Sequence, residues 1–288
     1  MREFVIFADT ACDIKPEILA EWGVPFESLT FKFDDSEKIY ANNDMTVAEF
    51  YEKMKAGGVA KTAATNPESF AVAFDKILAE GKDILYLGFS SGLSTTYNSA
   101  RIASNELKEK YPDSRMVLID TLAASAGIGL LIRLALDKKE SGASIDEVAE
   151  YVNELIPGLC HWFTVDDLVY LKRGGRVSAA AAFFGNMIGI KPVLHVDDEG
   201  HLVPVLKVRG RRTSITTMAD KYGELAKDKE GGLVYISHAA CENDAKALAD
   251  ILNSRYGAKV SIITDVGPVI GAHSGPGTLA LFFIGTSR

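Results

Sequence analysis

Two stretches of this chain gather side chains able to do chemistry. The first is Gly88-Phe89-Ser90-Ser91-Gly92-Leu93-Ser94-Thr95-Thr96, five hydroxyls among two glycines between an apolar run and a helical pattern. The second is Asp265-Val266-Gly267-Pro268-Val269-Ile270-Gly271-Ala272-His273-Ser274-Gly275-Pro276-Gly277, which places His273 in a glycine-rich loop between two strands. One chemistry that fits is acyl transfer. Gly88-Phe89-Ser90-Ser91-Gly92 matches G-x-S-x-G, with Ser90 as nucleophile and His273 downstream as base. Three features weigh against this esterase or thioesterase reading. The helical pattern does not begin directly after Ser90, no HGGG-type segment supplies an oxyanion hole, and no acid is marked as the third partner.

The other chemistry is anion binding. Ser94 suits the N-cap of a helix over 95–110, and the flanking glycines let backbone approach a ligand. A second helix start lies in Lys61-Thr62-Ala63-Ala64-Thr65-Asn66-Pro67, where Asn66 can cap and Pro67 suits the first helical position. Two helix N-termini carrying hydroxyls, pointing into one cleft, make an anion site. The phosphate-loop lysine is absent, so a single carboxylate fits better than a polyphosphate. Asp9-Thr10-Ala11-Cys12-Asp13 and Asp120-Thr121 also close strands, the latter read as turn and cap chemistry.

Further along, Leu171-Lys172-Arg173-Gly174-Gly175-Arg176-Val177 reads as an exposed basic loop. Arg176, between glycine and apolar residues, is expected to be partly buried and paired with an anion or an acidic side chain. Residues 178–190 mix alanine, glycine, phenylalanine and isoleucine, which suits either helix core or a narrow tunnel. His161, His195, His201 and His238 lack metal-ligand spacing, so no metal or cofactor is expected.

The elements that position these residues follow from periodicity. Strands at 4–8, 84–88 and 115–120 alternate with helices at 16–22, 46–56, 67–79, 95–110, 123–139 and 145–155. This predicts an N-terminal doubly wound parallel sheet. Strands at 159–165, 191–195, 233–237, 259–264 and 279–284, a hairpin over 195–206, and helices at 213–226 and 243–256 predict a C-terminal α/β lobe with a largely antiparallel sheet. Pro157-Gly158 marks the boundary, giving lobes 1–156 and 157–288 with a ligand between them.

The 288 residues carry 31 basic and 39 acidic side chains, a net charge of −8. That balance excludes a general nucleic-acid binder. Cys12, Cys160 and Cys241 are too dispersed for a disulfide framework and fit a reducing, cytoplasmic setting. Residues 1–9 read as a first strand rather than a signal peptide. The apolar stretch 122–136 is too short to span a bilayer, so a buried helix is expected and stable membrane insertion is not.

Taken in order, Phe7-Ala8-Asp9-Thr10-Ala11-Cys12-Asp13, Ser90-Ser91-Gly92-Leu93-Ser94-Thr95-Thr96-Tyr97, the run Asp166–Arg176, Ile190-Lys191-Pro192-Val193-Leu194, and Asp265-Val266-Gly267-Pro268-Val269 followed by His273 resemble the DegV family of fatty-acid-binding proteins. The resemblance spans nearly the whole chain. It implies a two-domain fold with a long-chain fatty acid, such as palmitate, buried between the lobes. It further implies a carboxylate held by Thr65 and Ser94, with His273, Arg176 and Ser91 nearby. Where the family reads Thr-Ser-Gln-Pro, this chain has Ala64-Thr65-Asn66-Pro67, so either Thr62 replaces the lost hydroxyl or the carboxylate has one donor fewer. The implied partner is a dihydroxyacetone-kinase-like fatty acid kinase that makes acyl phosphate for phospholipid synthesis. Arg209, Arg211 and Arg212 lie in the region implied to dock it. The carrier would then not be an enzyme itself. A module for another amphipathic acid is the remaining alternative.

Overall fold

The computed structural model describes residues 2–177 and 189–288. The first half runs β1 (Phe4–Asp9), α1 (Pro16–Glu21), β2 (Phe26–Glu27), β3 (Thr30–Phe33), β4 (Tyr40–Ala41), α2 (Val47–Lys55), β5 (Ala60–Ala63), α3 (Pro67–Ala79), β6 (Asp83–Gly88), α4 (Thr96–Leu107), β7 (Met116–Asp120), α5 (Ala126–Glu140) and α6 (Ile145–Leu155). The second half runs β8 (Leu159–Thr164), α7 (Val169–Gly174), β9 (Ile190–Val196), β10 (Leu202–Arg209), α8 (Arg211–Leu225), β11 (Val234–His238), α9 (Glu242–Tyr256), β12 (Val260–Asp265), α10 (Pro268–Ser274) and β13 (Leu279–Ile284).

Strands β2-β1-β6-β7 form a parallel sheet in that order. Because side chains alternate across a strand, each central strand feeds two cores. Phe4, Ile6, Leu85 and Leu87 face the cluster built with α5 and α6, while Phe7, Ile84 and Tyr86 face the one built with α3 and α4. Helices therefore cover both faces, as the doubly wound reading requires.

The second sheet has the order β10-β9-β8-β13-β11-β12 and is antiparallel except for the β11–β12 pair. The expected fold class is thus present. Helix α5 is buried along most of its length and touches strands of both sheets. Glycine is required for that closeness at Gly127, where a side chain would collide with His161 Nε2, and at Gly129, where it would meet Ile14. The largest apolar cluster consequently runs from Ile6 and Leu87 through Leu131 to Phe163, Tyr235 and Phe282.

Three features differ from the sequence reading. A small antiparallel sheet, β4-β3-β5, was not expected; it carries Thr62 on β5, paired opposite Phe31. The basic segment after β8 is not a loop, since its first part coils into α7. His273 likewise sits on a helix, α10, rather than in a loop. Pro268 opens α10, and its first amides are captured from afar: Gly267 N–H donates to Asp13 Oδ1 at 2.9 Å, and Val269 N–H to Asn42 Oδ1 at 2.9 Å. Those bonds satisfy donors that the first helical turn would otherwise leave orphaned.

Candidate functional site

A cavity of about 410 Å³ opens between one face of the second sheet, the loop after β6, the residues just before α5, the end of β5, and α10. Its walls are mostly apolar, with Leu29, Phe89, Leu93, Phe163, Leu202 and Phe282 among them. Polar groups concentrate on one side, where Thr62, Ser91, Ser94, Arg176 and His273 all line the space. An apolar cavity with a few converging polar groups is the common form of a small-ligand site.

Thr62 and His273 form the core of this polar side. The Thr62 hydroxyl lies 2.7 Å from His273 Nε2. Burial, with a smaller contribution from the Arg176 charge, lowers the His273 pKa to about 4, so the ring is neutral near pH 7. Gly174 stands directly beside Nδ1, where a side chain would collide. Nδ1 and the Ser274 hydroxyl are both buried without a hydrogen-bond partner among the described residues. Ser274 lines the same cavity and was not singled out from the sequence; its position one residue after His273 was the only available signal.

Ser94 is brought to the site, though not as the helix N-cap. Its hydroxyl accepts the Thr96 amide at 3.2 Å and lies 2.9 Å from Thr96 Oγ1, while Thr95 occupies the cap position. Ser91 lines the exposed rim, its amide donating to Asp120 Oδ1 at 3.1 Å. Arg176 also lines the cavity, but it is exposed rather than partly buried. It has no acidic partner among the described residues; Nε donates to the Leu93 carbonyl at 3.3 Å and Nη1 to the Gly174 carbonyl at 2.5 Å. The charge of Arg176 is thus aimed at the cavity without being neutralised by a carboxylate.

Thr65 is not part of this group. It is buried, its hydroxyl donates to the Ser28 carbonyl at 3.3 Å, and it does not line the cavity. Asn66 does cap α3, accepting the Ser69 amide at 2.8 Å, with Pro67 at the first position. The cavity is lined by Thr62, Ala63 and Ala64 rather than by the helix start itself. The strand β5 is what the sequence reading lacked.

Ser90 does not form a nucleophile–base pair with His273. Its side chain is fully buried, its hydroxyl donates to the Gly200 carbonyl at 2.9 Å and accepts the Gly92 amide at 3.2 Å, and His273 is engaged by Thr62. These bonds make Ser90 a tie between the β6 loop and the β9–β10 hairpin.

The model of a family described as uncharacterised DegV proteins matches residues 3–286. This chain belongs to the DegV family. A DegV domain-containing protein of Clostridium perfringens is 40% identical, with 100% of this chain and 99% of the relative aligned. Among solved structures, a DegV lipid-binding protein from Thermotoga maritima superposes with a TM-score of 0.88 at 30% identity, covering 99% of each chain. A fatty-acid-binding DegV protein from Thermus thermophilus gives 0.88 at 28% identity over 99% of this chain and 100% of that one. A stearic-acid-binding protein from Eubacterium ventriosum gives 0.88 at 25% identity over 98% of each.

Within this DegV chain, two buried aspartates build the site from behind. Asp9 Oδ2 accepts the Tyr86 hydroxyl at 2.6 Å and the Phe89 amide at 3.0 Å, fixing the exit of β6. Asp13 Oδ2 accepts the Ser125 hydroxyl at 2.5 Å, and Ser125 lies 2.9 Å from the Ser237 hydroxyl. Burial raises the Asp13 pKa to about 7, against the lowering effect of its Ser125 and Gly267 bonds. Ser125 itself is held at φ 55, a conformation that costs a non-glycine residue about 1–3 kcal/mol. The sequence marked the Asp9–Asp13 run but not this supporting role.

The basic run divides. Arg209 and Arg212 are exposed. Arg211 is not free for a partner, because it bonds Asp244 at 2.9 Å and lies 3.7 Å from Asp166. Of the expected tunnel or helix-core segment, 178–188 lies outside the described residues. No group of three or more His, Cys, Asp or Glu side chains able to hold a metal occurs among the described residues. The cysteines Cys12, Cys160 and Cys241 are free, and no described helix is long and apolar enough to cross a membrane.

Proposed function

We propose that this protein is a cytoplasmic carrier that binds a long-chain fatty acid in the cavity and presents its carboxylate to a fatty acid kinase resembling dihydroxyacetone kinase. One observation carries the reading. The neutral His273, Thr62, Ser94 and the unneutralised Arg176 all line one cavity whose walls are mostly apolar. The fatty-acid and stearic-acid binding of solved DegV relatives supports the same ligand.

The chemistry of the head group follows from the Thr62–His273 bond. With Nε2–H of neutral His273 donating to Thr62 Oγ1, the threonine's own proton is free to donate to a carboxylate oxygen. Ser94 offers a second hydroxyl, and the guanidinium of Arg176 supplies the opposing charge; hydrogen bonds to an ionised acceptor are stronger than neutral ones. Ser91, at the exposed rim, is placed to touch the head group as it leaves. Thr65 drops out of the set. The tail supplies affinity: ~0.8 kcal/mol for each buried methylene gives about 11 kcal/mol for a chain of roughly fourteen, before the costs of association.

In this reading residues 1–156 and 157–288 act as two lobes with the acid between them. The protein performs no bond-breaking step; the kinase supplies the phosphoryl transfer that yields acyl phosphate. Arg209 and Arg212 are the exposed cations proposed to meet the kinase. The test is to titrate the protein with palmitate or stearate and then add the kinase and ATP. Tight binding followed by acyl-phosphate formation supports the reading. Absence of binding, or release of product by the carrier alone, rejects it.

A further inference from the structure

Helix α10 carries His273, yet little within α10 fixes where that side chain sits. The helix has seven residues, Pro268–Ser274, with Gly271 near its middle and Gly275 at its end. So short a helix is marginal by itself, and its position is set by what grips it from outside. Two of those grips come from one neighbour. Asn42, one residue past β4, accepts the Val269 N–H on Oδ1 at 2.9 Å, and Thr62 on β5 meets His273 Nε2 at 2.7 Å. Strands β4 and β5 both pair with β3, so the two residues belong to the same small sheet.

Val269 and His273 are separated by about one helical turn, so Asn42 holds the first turn of α10 and Thr62 meets the last. Asn42 is itself fixed. It is only 5% exposed, and its own N–H donates to the Leu29 carbonyl at 3.0 Å and to Ser28 Oγ at 3.1 Å. Between the two grips α10 lies against α2: a side chain at Gly271 would run into Tyr51, whose hydroxyl donates to the Val266 carbonyl at 2.7 Å. Asp13, which takes the Gly267 amide, also bonds Ser125 in the cavity wall, so its replacement acts on the cavity directly. Asn42 does not line the cavity, and its side chain reaches the site only through α10.

We infer that Asn42 is a positioning residue for the carboxylate site: by seating the first turn of α10 on the small sheet, it keeps His273 Nε2 in register with Thr62 Oγ1. A hydrogen bond weakens steeply once its distance and angle leave a narrow range, so a loosened first turn is felt at His273. The threonine proton is then no longer held free for the ligand. This rests on the fatty-acid reading above and adds to it a residue that touches no part of the acid. Because Asn42 acts through the Thr62–His273 pair, its contribution to binding disappears once Thr62 has lost its hydroxyl.

The experiment is a double-mutant cycle on stearate affinity, with wild type, Asn42→Ala, Thr62→Val and the double variant. Asn42→Ala is expected to weaken binding about tenfold in the wild-type background and by less than about twofold in Thr62→Val. A purely structural role would give the same loss in both backgrounds. Wild type supplies a reading that does not depend on how Asn42→Ala folds. Coupling between sites is reciprocal, so bound stearate should slow hydrogen exchange at the Val269 amide more than at Leu248, a core residue of α9 outside the cavity. That excess should vanish in Thr62→Val. Equal losses of affinity in the two backgrounds, unchanged affinity in a folded Asn42→Ala protein, equal slowing at the two amides, or an excess that persists in Thr62→Val would each overturn the inference. Failure of stearate to bind wild type would instead overturn the fatty-acid reading.

Discussion

The Thr62 hydroxyl and His273 Nε2, 211 residues apart in the chain, lie 2.7 Å from each other at the edge of the cavity. The contact joins the small sheet to α10 and decides which threonine is available to a carboxylate. Thr65, three residues on, spends its hydroxyl on the Ser28 carbonyl.

Replacing each threonine should therefore have separable effects. Thr62→Val is expected to weaken fatty-acid binding by roughly ten- to hundredfold, the value of one lost charge-assisted bond at about 1.5–3 kcal/mol. Thr65→Val should leave affinity within twofold and lower stability by about 1 kcal/mol through the unsatisfied Ser28 carbonyl. Displacement of a fluorescent fatty acid and urea unfolding check the two outcomes.

The buried aspartate predicts a pH signature. Burial raises Asp13 from 3.8 to about 7, so folding favours its protonated form. Its stabilising contribution is fully present below about 3.8 and is lost as pH rises through about 7. His273 has the opposite sign. With its pKa lowered from 6.5 to about 4, its contribution is present above 6.5 and fades as pH falls through about 4. The unfolding free energy of wild type minus that of Asp13→Asn should fall steadily between pH 4 and 7. For His273→Gln the same difference should instead rise over that window. Urea titrations at pH 4.5, 6 and 8 read both.

Ser90 should behave as a structural residue. Ser90→Ala removes the donor to the Gly200 carbonyl and is expected to cost about 1–3 kcal/mol of stability. A fluorophosphonate should not label Ser90 in wild type. Labelling there, abolished in Ser90→Ala, would restore the esterase reading.

The arginines near α8 should divide in the same way. Arg211→Ala is expected to destabilise by about 1–3 kcal/mol, because Asp244 and Asp166 lose a half-buried cation. Arg209→Ala and Arg212→Ala should leave unfolding unchanged within about 0.5 kcal/mol and slow acyl-phosphate formation with the kinase. Coupled unfolding and transfer assays distinguish the two classes.

Much of this was legible in the residues. Helices 67–79 and 145–155 end where the sequence placed them, because Asn66-Pro67 and the Ser144–Glu147 capping box state their starts locally. The continuous apolar run 279–284 likewise marks β13, a strand buried on both faces. The small sheet was not legible, since β4 is two residues long and β5, Ala-Lys-Thr-Ala, alternates without large apolar side chains. Helices α7 and α10 are too short and glycine-rich to show a 3.6-residue period. α10 instead depends on Asp13 and Asn42, more than two hundred residues away. The family resemblance points to Thr65, but it carries no information on β5, whose pairing with β3 accompanies Thr62, not Thr65, in the cavity wall. Of the two partners expected for Arg176, an anion or an acidic side chain, no acidic one is found among the described residues; carbonyls of Leu93 and Gly174 hold it instead.

The most direct test of the central claim is native mass spectrometry of wild type and Thr62→Val, as purified and after addition of one equivalent of palmitate or stearate. One long-chain fatty acid per wild-type chain is expected, retained on dilution, with a clearly reduced bound fraction in Thr62→Val. A wild-type protein that stays empty, or a Thr62→Val protein that holds the acid as well as wild type, would contradict it.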